Sequence, residues 1–149
     1  MKIESKLPDV GTTIFTVMSQ LASDQGAINL SQGFPDFDVP GELVDRVTHY
    51  MHSGFNQYAP MQGVPLLRAR IAANVSELYH ADYDPATEIT ITSGGTEALF
   101  AAITATVRPG DEVILFEPAY DAYVPAIQLS GGKPVFLPLR FPEYRVDWD

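Results

Sequence analysis

The sequence has 149 residues, enough for a domain with a core of its own, and its 46% hydrophobic and 19% charged content is that of an ordinary globular chain. A formal net charge of −10 argues against nucleic acid and anionic membrane as partners, since both require clustered Lys and Arg. With no cysteine there is no disulfide framework and no Cys-ligated metal, and no metal site is expected.

The N-terminal segment Met1-Lys2-Ile3-Glu4-Ser5-Lys6 lacks the apolar stretch of a secretory leader. No later apolar run approaches the roughly 18–20 residues needed to span a bilayer. A cytoplasmic location is therefore expected. Residues 1–40 are poor in regular periodicity apart from a short helix predicted near Ile14–Ala22, and they are rich in turn formers, notably Gly33-Phe34-Pro35-Asp36-Phe37-Asp38-Val39-Pro40. From Glu42 to Ser53 the apolar residues Leu43, Val44, Val47, Tyr50 and Met51 fall at helical spacing, and Gly54 suits the C-terminal cap. A further helix fits Pro65–His80, with proline in its first turn and Leu66, Leu67, Ile71, Val75, Leu78 and Tyr79 on one side.

The pattern then changes to alternating strands and helices. Ile89–Thr92 reads as a strand, Thr96–Val107 as an apolar helix, and Glu112–Phe116 as a second strand. Asp121–Leu129 reads as a helix closed by Gly131-Gly132, and Pro134–Leu137 as a third strand. This order predicts an α/β fold with βαβ crossovers and a mostly parallel sheet covered by helices on both faces, a three-layer α/β/α arrangement. Three strands with few helices to cover them, and no closing element before Asp149, are expected of a truncated α/β protein. An isolated chain of this kind is expected to associate through exposed apolar faces and an unpaired sheet edge.

The segment Thr92-Ser93-Gly94-Gly95-Thr96-Glu97-Ala98-Leu99 places two glycines between a strand and a helix. Such a turn aims the unpaired N–H groups of a helix start at one point, where the macrodipole adds partial positive charge and phosphate binds. By itself it is also a plain tight connection. It is neither a P-loop, since no Gly-Lys-Ser/Thr follows, nor a dinucleotide fingerprint, since G-x-G-x-x-G is absent. Glu97 suits a helix start but sits poorly beside a phosphate unless it points away. A second loop at a strand's carboxyl end, Glu117–Tyr123, carries Tyr120, which could lie against a flat ring bearing that phosphate or simply pack.

Six motifs follow one another in order along the chain. They are Leu30-Ser31-Gln32-Gly33-Phe34-Pro35-Asp36-Phe37, Asn56-Gln57-Tyr58-Ala59-Pro60-Met61-Gln62-Gly63 and Leu66-Leu67-Arg68. Ile91–Leu99, Pro109-Gly110-Asp111-Glu112-Val113 and Glu117-Pro118-Ala119-Tyr120-Asp121-Ala122-Tyr123 complete the set. In this order they resemble the N-terminal part of fold-type I, class I/II aminotransferases, nearest the methionine and kynurenine aminotransferases, and the resemblance covers essentially the whole chain. It implies an N-terminal arm and small-domain segment over residues 1–40 and an incomplete large domain over 41–149.

The resemblance also implies pyridoxal 5′-phosphate as cofactor, amino acids of methionine or aromatic type and 2-oxo acids as substrates, and a homodimer. Gly94, Gly95 and Thr96 would then bind the cofactor phosphate and Tyr120 would stack on its ring. Tyr58 would reach the phosphate of the partner subunit's cofactor. Gly33 would approach the substrate carboxylate through its backbone, and Ile14 and Phe15 would lie over the substrate pocket. Tyr58 could otherwise be a surface turn residue and Phe15 a core anchor. This chemistry needs a lysine to hold the cofactor covalently. Lys2, Lys6 and Lys133 are the lysines present, none in the Ser-x-x-Lys type of setting the family uses. No catalytic residue is assigned, and the chain alone is expected to be inactive. A cysteine-conjugate C–S lyase using the same cofactor, or a non-catalytic phosphate-ligand binding fragment, are the alternative readings.

Overall fold

A computed structural model describes residues 3–33 and 35–148. Met1, Lys2, Phe34 and Asp149, which enter the readings of the leader, the lysines, the Leu30–Phe37 motif and the chain's end, lie outside the described residues. The elements in chain order are helices α1 (Ile14–Asp24), α2 (Gly41–His52), α3 (Pro65–Tyr79) and α4 (Gly95–Thr106), strand β1 (Glu112–Glu117), helix α5 (Tyr123–Leu129) and strand β2 (Lys133–Pro138). They fall into two compact units, one formed by Met1–Ile14 with Thr92–Asp149, the other by Phe15–Ile91.

The first unit is built on a βαβ crossover. β1 and β2 pair in parallel, in register from Glu112 opposite Lys133 to Glu117 opposite Pro138. Helix α5 makes the crossover that parallel strands require. Leu115 of β1 and Ala126 and Ile127 of α5 are its buried apolar residues, and Ile127 is completely enclosed. The end of α5 is fixed by the two glycines that the sequence marks as its stop. The Gly132 N–H donates to the Ile127 carbonyl and the Gly131 N–H to the Gln128 carbonyl, each at 2.9 Å, with Gly131 at φ +80°. These paired bonds are the Schellman arrangement, which satisfies carbonyls the helix itself leaves open. A Cβ on Gly132 would stand 2.6 Å from Val107 Cγ1, so the segment after α4 is seated against this turn.

Two expectations are corrected here. The run Ile89–Thr92 forms no ladder, and the sheet among the described residues has two strands instead of three. A β-branched run becomes a strand only when a neighbour takes its N–H and C=O groups. The main-chain partner found here is a loop, the Ile91 N–H donating to the Gln62 carbonyl at 3.0 Å. Helix α5 begins at Tyr123 and not at Asp121, because Tyr120 to Tyr123 close a turn in which the Tyr123 N–H donates to the Tyr120 carbonyl at 3.2 Å.

The second unit holds three helices. Helix α2 follows the predicted apolar spacing and ends as α5 does. The Phe55 N–H donates to the Tyr50 carbonyl at 3.2 Å, and the two rings meet edge to face at 5.3 Å, the apolar contact that accompanies such a cap. Its apolar residues Leu43, Val44, Val47, Tyr50 and Met51 are nonetheless all exposed. Helix α3 starts on Pro65 and closes on His80, which adopts a left-handed conformation with φ 55°. Arg68 on α3 is the buried charged residue of the described chain, and its Nε and Nη2 meet no acceptor among the described residues. Beyond α3, Asp84 organises a turn: its carboxylate accepts from the Ala86 N–H and the Thr87 hydroxyl, both within 2.8 Å. These bonds, in that order, with Arg68 adding a weaker attraction, hold the Asp84 carboxyl below its ordinary pKa.

Candidate cofactor site

The Ser93–Thr96 turn is shaped by local bonds. The Gly94 N–H donates to the Thr92 carbonyl and the Thr92 hydroxyl donates to the Gly94 carbonyl, both at 2.9 Å. Gly94 caps α4 with φ 91° and ψ 168°, a conformation closed to residues bearing a Cβ. From there the chain enters the helix at Gly95. The N–H groups of Gly95, Thr96 and Glu97 stand in a first turn, where no helical carbonyl can reach them. Gly94, Gly95 and Thr96 are exposed, and a Cβ placed on either glycine would meet nothing within 4 Å, so the turn is open to solvent.

Glu97 shows how an acid coexists with that donor set. Its Oε2 accepts from the Ser93 N–H, a short bond back over the start of the helix. The carboxylate thus serves as a cap, close to the capping-box geometry, and supports the helix dipole from its third position. The sequence gives no sign of this direction; only the conformation of the turn does.

Tyr120 is brought to the same place. Its hydroxyl lies 3.3 Å from the Thr96 hydroxyl, so two of the predicted site residues, 24 positions apart, are within hydrogen-bond reach. The Tyr120 ring is half exposed and packs edge to face on Tyr123, with centroids 5.8 Å apart and planes at 77°. The donors, the open space and an aromatic face beside them fit a ligand made of a flat ring and a phosphate. Lys133 is distant from this arrangement in the β1–β2 pair. It opens β2 opposite Glu112, at the strands' amino ends, whereas the Tyr120 loop follows Glu117, about 16 Å further along a six-residue strand.

The other predicted residues are described within their own surroundings. Tyr58 is fully exposed in the loop between α2 and α3. Gly33 lies between α1 and α2, and a Cβ there would meet nothing within 4 Å. Ile14 and Phe15 are the first two residues of α1, and both are exposed. Among the described residues no helix is long and apolar enough to cross a membrane, and no group of His, Asp or Glu could hold a metal ion.

The family profile of class I and II aminotransferases matches residues 25–149. The chain is 58% identical over 145 residues to the methionine aminotransferase of Escherichia coli (strain K12), covering 97% of this chain and 38% of that protein. It is 42% identical over 123 residues to human kynurenine–oxoglutarate transaminase 1, covering 81% of this chain and 29% of that one. Among solved structures, that of YbdL from Escherichia coli, whose reactivity identifies a methionine aminotransferase function, superimposes with a TM-score of 0.94 at 57% identity. The match covers 99% of this chain and 39% of that one. The chain therefore spans less than two fifths of each of these relatives. With the profile matched across most of its length, the chain belongs to the class I and II aminotransferase family.

Proposed function

We propose that these residues form the phosphate-holding part of an aminotransferase that moves an amino group between an amino acid and a 2-oxo acid. Pyridoxal phosphate is the cofactor the family implies, and the observation that carries the reading is the open turn at Gly94–Thr96 with the Tyr120 hydroxyl 3.3 Å from Thr96. In this reading Gly95 and Thr96 give their N–H groups to the cofactor phosphate, with Gly94 setting the turn. Each charge-assisted bond of this kind contributes about 1.5–3 kcal/mol. Tyr120 covers one face of the pyridine ring and leaves its conjugation free. When bound, the cofactor supplies the electron sink for bond breaking at the α-carbon of the amino acid.

The remaining assignments follow the family pattern. Tyr58 donates its phenol to the phosphate held by the partner subunit of a homodimer. Gly33 admits the substrate carboxylate to its backbone, and Ile14 and Phe15 line the substrate pocket. Residues 1–40 form an arm and small-domain segment, and 41–149 part of the large domain. Methionine is the first substrate to try, because the relative at 58% identity is a methionine aminotransferase.

The test uses the intact protein with pyridoxal phosphate, methionine and a 2-oxo acid, following formation of the methionine-derived 2-oxo acid. Product formation that requires both substrates supports the reading. Release of thiol, pyruvate and ammonia from a cysteine conjugate, with no dependence on a 2-oxo acid, would replace it with C–S lyase activity. Failure of the protein to take up pyridoxal phosphate at all would overturn it.

A further inference from the structure

A ring that only covers a flat ligand has no need of a hydroxyl, yet the Tyr120 hydroxyl is placed 3.3 Å from that of Thr96. A threonine hydroxyl has one proton to give and two lone pairs that accept. With the Thr96 O–H donating to an anion on the turn, its oxygen still accepts, and the Tyr120 phenol is the donor within reach. The acid of the same helical turn does not interfere, because Glu97 is engaged with the Ser93 N–H. Tyr120 is aimed by packing, its ring held edge to face by Tyr123.

We propose that Tyr120 is a positioning residue through its hydroxyl, which donates to Thr96 Oγ1 and so directs the Thr96 O–H toward a phosphate on the Gly94–Thr96 turn. The inference rests on the pyridoxal phosphate reading and deepens it. The hydrogen bonds run one way, from Tyr120 to Thr96 to phosphate, and successive bonds in such a chain polarise one another. The present spacing exceeds the usual 2.7–2.8 Å of a hydroxyl pair. It shortens as the Thr96 O–H donates to a phosphate, because a hydroxyl oxygen that donates becomes a better acceptor.

The test compares wild type, Tyr120→Phe, Thr96→Val, Thr96→Ser and the Tyr120→Phe/Thr96→Val double variant of the intact protein. Affinities for pyridoxal phosphate and for pyridoxal, which lacks the phosphate, are measured by spectroscopic titration. Tyr120→Phe keeps the ring and is expected to weaken pyridoxal phosphate binding about fivefold while leaving pyridoxal binding unchanged. The same change made on Thr96→Val is expected to cost nothing further, since the hydroxyl it acts through is gone. Thr96→Ser is expected to bind as wild type does. Equal pyridoxal phosphate affinity in wild type and Tyr120→Phe overturns the proposal, as does an equal loss for both ligands or an additive loss in the double variant. Those outcomes leave the functional reading standing. A wild-type protein that binds no pyridoxal phosphate overturns both.

Discussion

Glu97 shows what a single residue type can and cannot disclose. An acid in the first turn of a helix is favourable by dipole logic and unfavourable beside a phosphate. The conflict is resolved by the direction of the side chain, which takes the Ser93 N–H and leaves the Gly95 and Thr96 donors open. That direction depends on which N–H groups the turn leaves unpaired, and no residue spacing encodes it. The location of Tyr120, by contrast, was legible from its loop at a strand's carboxyl end, and its hydroxyl does come within 3.3 Å of Thr96. Gly33 permits a clean separation of folding from function. A Cβ there meets nothing within 4 Å, so Gly33→Ala should alter stability by less than about 0.5 kcal/mol. If its backbone receives the substrate carboxylate, the same change should raise KM for the amino acid by roughly tenfold, since mispositioning of a bound group carries costs of that order. An unfolding curve and a KM measured on one preparation check both halves; an unchanged KM would remove Gly33 from the site.

At the scale of elements, the five helices and two strands of the described residues stand where the sequence predicts them, apart from the later start of α5, while the strand predicted at Ile89–Thr92 is absent. Ile89–Thr92 has the right residue types, but strand formation depends on a partner elsewhere in the chain, which a local pattern cannot supply. Arg68 is similar: it sits in a recognisable Leu-Leu-Arg motif, yet its burial follows from the packing around α3. The segment Gln62–Gly63 makes the close approach that holds Ile91. Gly63 has φ +99°, and a Cβ on it would lie 2.3 Å from Ile91 Cγ1 and 2.7 Å from Ile91 Cβ. Gly63→Ala therefore meets both a left-handed backbone and a side chain with nowhere to go. We expect it to destabilise by roughly 2–4 kcal/mol, read as a lowered urea midpoint at constant m value. Retention of the wild-type midpoint would mean that this approach is loose. Gly63→Ala paired with Ile91→Ala should recover part of the loss, because the second change removes the Cγ1 atom in the way.

For the molecule as a whole, the sequence and the comparisons give the same family, and the geometry indicates which part of the family's machinery these residues carry. The β1–α5–β2 crossover and the α4 turn bring Tyr120 beside the glycine turn, which in the proposed reading is the phosphate cradle. The apolar face of α2 is formed but uncovered among the described residues. Apolar spacing is enough to specify that helix and carries no information about what packs on it. The central claim is that the open donors of the Gly95–Thr96 turn receive the phosphate of pyridoxal phosphate. It is tested most directly by nuclear magnetic resonance on the intact protein labelled with nitrogen-15 in glycine and threonine, titrated with pyridoxal phosphate and then with pyridoxal. The account predicts that the Gly95 and Thr96 amides move downfield, further than any other labelled amide, with pyridoxal phosphate and stay near their starting positions with pyridoxal. Amides of Gly95 and Thr96 that remain still while others shift on binding would contradict it.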